Sequence, residues 1–408
     1  MTLMKTKTFN VLKEGNVTTP KGFEAGGVHI GIRRKKLDFG WIHSEVPATA
    51  AGVYTLNAFQ AAPLKVTKDS LAKTGKIQTI VVNSGNANAV TGMQGYQNAL
   101  ETQALAAEKK GVAKDLVAVA STGLIGVQLP MEKIHKGIQA MHLEENQGAE
   151  RFEQAILTTD TVTKHAAVQL EIDGKTVTIA GAAKGSGMIA PNMATMLSFI
   201  TTDAKVEQKS LEKALRQVTD QSFNMITVDG DCSTNDMVLV LANGMQENET
   251  LDENHPDWSV FVNGLQYVCQ ELAKQIARDG EGATKLIEVQ VEGAVSDKAA
   301  GEIAKAIISS NLVKAAVYGS DPNWGRIICA VGYSGEPLDA DKVTISLGDI
   351  KVVEKGLPLD FDERAGTTYL EQDTVTIHVD LNSGEGEATA WGCDLTYEYV
   401  KINASYRT

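Results

Sequence analysis

Apolar and polar positions along this chain change their period repeatedly, from the short runs of strands to the three-to-four spacing of helices. Ile77 to Asn83 and Leu116 to Ser121 are short β-branched and apolar runs and read as strands. Between them, Gln97 to Lys110 sets Leu100, Ala104 and Leu105 at helical spacing and predicts a helix. Val168 to Ile172 and Thr176 to Ala180 flank Asp173-Gly174, a pair that tolerates positive φ, and so predict a hairpin. Val343 to Leu347 and Ile350 to Val353 flank Gly348-Asp349 in the same way. Further helices are predicted over Lys209–Val218, Trp258–Arg278 and Glu302–Tyr318, and a buried strand over Met196–Ile200. From Thr374 to Asn403 the chain reads as largely strand, with Val375, Ile377 and Val379 alternating. Antiparallel hairpins mixed with helices predict a layered α/β protein with mixed sheets, in preference to a doubly wound parallel one. A domain boundary is placed near Lys285, where the turn Asp279-Gly-Glu-Gly282 gives way to a fresh strand, Leu286 to Val291.

The 408 residues allow about two to three domains. A net charge of −13 would be repelled by nucleic acid or an anionic membrane, so neither is expected as a partner. No apolar stretch approaches the roughly 18 residues of a membrane span, and Met1 to Phe9 has no apolar run of the kind a signal peptide needs. Four cysteines (Cys232, Cys269, Cys329 and Cys393) lie far apart with no CxxC pair. They fit reduced thiols in a cytosolic protein, acting as small hydrophobes as in the apolar segment around Cys329. The seven histidines show no metal-ligand spacing. Asp229-Gly-Asp231 with Asp236 faintly suggests a calcium loop, but Thr234 stands where such a loop needs glycine and Val240 where it needs glutamate. No metal is expected.

The most unusual segment is Ala182 to Ile200, in which small residues crowd around Lys184. Three readings compete. Gly185-x-Gly187-x-x-Ala190 loosely fits a dinucleotide-binding turn, but Pro191 disfavours helix at Ala190 and the preceding strand belongs to a hairpin. A plain glycine-rich turn entering a buried strand is the second. The third is a self-processing nucleophile at Thr195. A threonine hydroxyl needs a base, and a cut just before it supplies one as its own α-amino group, with a pKa near ~7.7–8.0. Ala194, being small, suits that cut.

Resemblance selects among these. Lys184-Gly-Ser-Gly-Met-Ile-Ala-Pro-Asn-Met-Ala-Thr195-Met-Leu is similar to the cleavage-site signature of the bifunctional ornithine acetyltransferase/glutamate N-acetyltransferase family of arginine biosynthesis. Asn83-Ser-Gly-Asn-Ala-Asn88, Ser121-Thr-Gly-Leu-Ile-Gly126, Leu157-Thr-Thr-Asp160, Thr227 to Asp236, Gly319 to Arg326 and Ile402 to Thr408 also resemble family blocks, in family order. The likeness runs over nearly the whole chain.

The resemblance implies an αββα-layered sandwich of the self-processing, N-terminal-nucleophile type, plus a smaller α/β domain. It implies self-cleavage into an α chain, 1–194, and a β chain, 195–408, which assemble as an α2β2 heterotetramer. Thr195 would take the acetyl group of N2-acetylornithine as an ester and pass it to glutamate. Thr122 and Gly123 would hold the oxyanion; Thr158, Lys184, Glu281, Asn403 and Thr408 would contact the amino-acid substrates. No cofactor is implied, and acetyl-CoA stays open as a second donor although no loop for its phosphates is identifiable. Two alternatives remain: a self-processing aminopeptidase or amidase of related fold, with water as the acceptor, and a non-catalytic binding protein that keeps the fold.

Overall fold

The computed structural model describes residues 9–141, 148–190 and 196–405. The larger sheet contains β1 (Phe9–Val11), β2 (Phe23–Val28), β3 (Phe39–Tyr54), β4 (Lys76–Asn86), β5 (Val117–Leu124), β6 (Lys164–Ile172), β7 (Lys175–Lys184), β8 (Leu197–Thr202) and β10 (Met237–Ala242). Their order is β1-β6-β7-β8-β10-β3-β4-β5, with β2 on the other side of β3. A second sheet contains β9 (Ile226–Thr227), β11 (Leu286–Ala294), β12 (Thr344–Leu347), β13 (Ile350–Glu354), β14 (Leu357–Pro358), β15 (Thr374–Asp380) and β16 (Gly386–Cys393). Its order is β14-β13-β12-β15-β11-β16-β9.

The larger sheet turns back on itself through β3. Residues 39–43 of that strand pair with β2 and β4, and residues 49–54 pair with β10. Between them the pairing with β4 shifts register around Pro47, which has no N–H to give a ladder. The inward faces of both halves share one core. Ile42, Ile80, Val82 and Ala120 come from one half, and Ala182, Leu197, Phe199, Leu239 and Leu241 from the other. On one outer face, Phe39, Trp41, Val81 and Val119 pack against α1 (Ala62–Thr74), α2 (Gly92–Lys110) and α3 (Met131–Gln139). On the other, Val168, Ile179, Ile200 and Val240 pack against α5 (Gln208–Asp220) and α6 (Trp258–Arg278). The arrangement is therefore helix, sheet, sheet, helix, with α4 (Gly148–Ile156) wedged at the inner core, where Phe152 meets Phe199 edge to face. In the second sheet, α7 (Asp297–Ser309) lies against β11 and β16, followed by α8 (Asn311–Tyr318), α9 (Trp324–Gly332) and α10 (Glu363–Leu370).

The predicted strands, hairpins and layered α/β class agree with this structure. At the β6–β7 turn, Asp173 and Gly174 both have positive φ (52° and 69°), as a two-residue hairpin requires. Three expectations are corrected. The strand expected up to Asn403 ends at Cys393, and residues 397–405 form a helix, α11 (Tyr397–Ser405). The helix expected over Glu302–Tyr318 is two helices, because Ser310 ends α7 and its hydroxyl caps α8 through Val313 N. The segment around Cys329 is buried only on one side: Ile327, Ala330 and Val331 are in the core, and Cys329 is exposed.

Candidate active site

A cavity of about 210 Å³ opens where the two halves of the larger sheet meet the turn after α6. Thr122, Gly123, Thr158, Lys184, Glu281 and Asn403 all line it. These six residues come from β5, the loop after α4, the end of β7, the loop after α6, and α11. Thr195, Ala194 and Thr408 lie outside the described residues.

Strand pairing builds one wall. β5 runs parallel to β4, and Gly123 opposes Gly85 with a φ of +132°. A Cβ on Gly123 would stand 2.3 Å from the Gly85 carbonyl carbon, so only glycine fits and the backbone approach is fixed. Asn235 braces the same turn, donating through Nδ2 to Ser121 O (2.7 Å) and Ala87 O (2.6 Å). Lys184 ends β7 and pairs with Leu197 of β8, close to the start of the strand that follows Thr195. Lys184 is 2% exposed, and its ammonium donates to Thr122 Oγ1 at 3.3 Å, which leaves the Thr122 proton to be given elsewhere. Burial pushes the Lys184 ammonium below its usual range, while Asp160 and Asp236 oppose that shift.

Below Lys184 lies a buried ionic knot. Lys164 donates to Asp160 Oδ1 (2.8 Å) and Asp279 Oδ2 (2.6 Å), all three being shielded from water. Asp160 also accepts Gly185 N (2.6 Å) and Thr158 N (2.9 Å), which ties the cavity residue Thr158 to the glycine-rich turn. Against its burial, the charges of Lys164 and Lys184 and the Thr158 N–H hold the Asp160 carboxyl far below the usual range. The loop 279–282 clasps the same turn: Ser186 Oγ donates to Asp279 O (2.7 Å) and Glu281 N to Ser186 O (2.9 Å). A Cβ on Gly187 would meet the Glu281 carboxyl carbon at 2.3 Å, so the absent side chain makes room for that carboxylate.

The remaining wall is acidic. Glu281 accepts Asn403 Nδ2 (2.8 Å). Asp229 accepts Met188 N (2.7 Å), Ile189 N (2.9 Å) and the Tyr399 hydroxyl (3.2 Å), and burial raises its carboxyl above the usual range. The suspected calcium loop is thus a turn whose first acid is spent on backbone N–H groups. Asp229 and Asp231 both face the cavity, so among the described residues its titratable lining is one lysine against three acids, beside the tyrosine. Sequence reasoning missed three contributors. Asn235 lay within a quoted block but was given no role, Tyr399 was hidden by the expected strand, and Lys164 is one lysine among many until its burial is known.

Fold and cavity together define a layered αββα enzyme whose candidate site is assembled from distant stretches of chain. The ArgJ family profile matches residues 24–408. The arginine biosynthesis bifunctional protein ArgJ of Oceanobacillus iheyensis is 64% identical over 403 residues, covering 98% of each chain. The crystal structure of the corresponding Bacillus halodurans protein is 56% identical with a TM-score of 0.51, and covers 52% of this chain and 100% of its own. That of ornithine acetyltransferase from Mycobacterium tuberculosis complexed with ornithine is 38% identical with a TM-score of 0.42, and covers 45% of this chain and 98% of its own. The chain belongs to the ArgJ family.

Proposed function

We propose that the protein transfers the acetyl group of N2-acetyl-L-ornithine to L-glutamate through an acetyl ester on Thr195, giving ornithine and N-acetylglutamate in arginine biosynthesis. The observation that carries this reading is that one cavity gathers Thr122, Gly123, Thr158, Lys184, Glu281 and Asn403. The chain cuts itself between Ala194 and Thr195, and the freed α-amino group becomes the base for the Thr195 hydroxyl.

Each half-reaction passes through a tetrahedral oxyanion. The Thr122 hydroxyl and the Gly123 N–H, fixed by the Gly85 contact, donate to it, and Lys184 strengthens the Thr122 donor by bonding to its oxygen. Glu281, steadied by Asn403, receives the substrate amino end, and Lys184 offers the positive charge for a carboxylate. Thr158 and Thr408 complete the substrate contacts. The reaction needs no cofactor, and acetyl-CoA serves as a second donor. Residues 1–194 and 195–408 stay together as a heterotetramer of two of each, with a division near residue 285 between the sandwich and a smaller C-terminal part. No described helix is long and apolar enough to cross a membrane.

Incubation with N2-acetylornithine and glutamate should yield ornithine and N-acetylglutamate in equal amounts, and acetyl-CoA with glutamate alone should give N-acetylglutamate too. Ornithine released with acetate in place of N-acetylglutamate would turn the assignment to an amidase. Mass spectrometry should find two chains meeting at Thr195; an intact folded chain would refute the covalent route.

A further inference from the structure

In a chain of net charge −13, one run of four consecutive cations stands out, Arg33-Arg34-Lys35-Lys36; the next longest is the pair Lys109-Lys110. The run lies on the loop between β2 and β3. Its backbone is firmly held. Asp38, fully buried, accepts Ile30 N at one oxygen (2.6 Å) and Arg33 N at the other (2.7 Å). His29 Nδ1 meets Lys36 O at 2.8 Å, and the Lys133 ammonium of α3 donates to Gly31 O. Arg34, Lys35 and Lys36 are exposed and make no ion pair among the described residues.

The loop touches the candidate site. Arg33 donates through Nη1 to Leu157 O (2.6 Å) and through Nη2 to Thr158 O (2.7 Å), and Thr158 lines the cavity. A Cβ on Gly85 would stand 2.9 Å from Ile32 Cγ2 and Arg33 Cγ, so the loop is seated against the residue that opposes Gly123. Lys36 follows Arg33 by three residues, a span of at most ~11 Å.

Charge decides what such a loop can serve. The described cavity lining sets Lys184 against Glu281, Asp229 and Asp231, which suits an amino group and repels phosphate. A donor that carries phosphates has to keep them outside while its acyl end enters. Arginine offers a planar fork to phosphate oxygens and lysine a mobile point charge, and both stand unpaired beside Thr158.

We propose that Arg34, Lys35 and Lys36 bind the nucleotide phosphates of acetyl-CoA, whose pantetheine arm then leads past Thr158 into the cavity. The inference rests on the reading of acetyl-CoA as a second donor. N2-acetylornithine has no phosphate and makes no use of the loop, so the two donors share the cavity and differ in what they touch outside it.

The test measures initial rates of N-acetylglutamate formation by the purified protein with acetyl-CoA, S-acetylpantetheine or N2-acetylornithine as donor. It compares wild type with the triple variant Arg34→Ala, Lys35→Ala, Lys36→Ala. In the variant the KM for acetyl-CoA should rise about tenfold, the sum of three exposed charge contacts, and lose most of its dependence on salt. The KM values for N2-acetylornithine and glutamate should hold, which also reports that the variant is folded. S-acetylpantetheine, which lacks the phosphates, should show a high KM that the substitutions leave unchanged. An unchanged KM for acetyl-CoA overturns the assignment. So does an equal rise for S-acetylpantetheine, N2-acetylornithine or glutamate, since the loop would then act on the cavity or on carboxylate substrates at large. A wild-type protein that uses N2-acetylornithine and not acetyl-CoA overturns the second-donor reading itself, a different result from either.

Discussion

Thr122, Gly123 and Lys184 reach the cavity from β5 and the end of β7, whereas Tyr399 and Asn403 reach it from α11, a helix with no buried residue. The strand-borne groups are held by ladder pairing, by the Gly123–Gly85 contact and by Asn235. The helix-borne groups are tied to the rest of the cavity by hydrogen bonds to Glu281 and Asp229, on a helix of which only Tyr399 packs in part against the core. The rigid wall suits bond making, where a small misplacement costs rate. The adaptable wall suits recognition of two substrates that differ in charge at the far end.

Variants on the two walls should therefore fail differently. The largest effect belongs to Thr195→Ala, which should abolish both splitting and acetyl transfer; the two fragments on a gel or acetyl turnover in that variant would end the distinction. Thr122→Ala should lower kcat for acetyl transfer about 10²–10³-fold and slow splitting too, while KM changes little. Asp160→Asn attacks the support of the rigid wall. It removes one of the two carboxylates that Lys164 faces among the described residues, leaving Asp279 and the Val162 carbonyl, and should cost about 3 kcal/mol, read as a lowered Tm. On the adaptable wall, Asn403→Ala should raise KM about tenfold, the loss of one hydrogen bond to a charged group, with kcat nearly unchanged. Smallest of all, deletion of Ser405 to Thr408 should raise KM several-fold for both substrates. A kcat defect from either change at α11 would show that the helix takes part in the chemistry.

The sequence made the rigid wall legible and the adaptable one poorly so. Strands β4 and β5 announce themselves by β-branched runs, and the Asp173-Gly174 turn by its chemistry. Residue motifs then led to Thr122, Gly123 and Lys184. The helix at 397–405 was unreadable because Tyr397, Tyr399 and Val400 favour strands and it buries no apolar stripe that would mark a helical period. The break at Ser310 was missed for a related reason. Apolar spacing continues across it, and only the cap hydrogen bond reveals two helices. The Asp160–Lys164–Asp279 knot spans more than a hundred residues of chain, so no local pattern could announce it. The same holds for the parallel pairing of β8 with β10, which sets Met237 beside Leu197.

That neighbour relation has one more consequence. β8 lies between β7 and β10, and β10 lies against β3, so the proposed cut separates strands that stay hydrogen-bonded across the same ladder. Once cut, the molecule is two polypeptides woven through one sandwich, and its melting becomes a dissociation. Its midpoint should then climb with protein concentration, whereas an uncut Thr195→Ala chain, if its melting unit is a single polypeptide, should melt at one temperature however dilute.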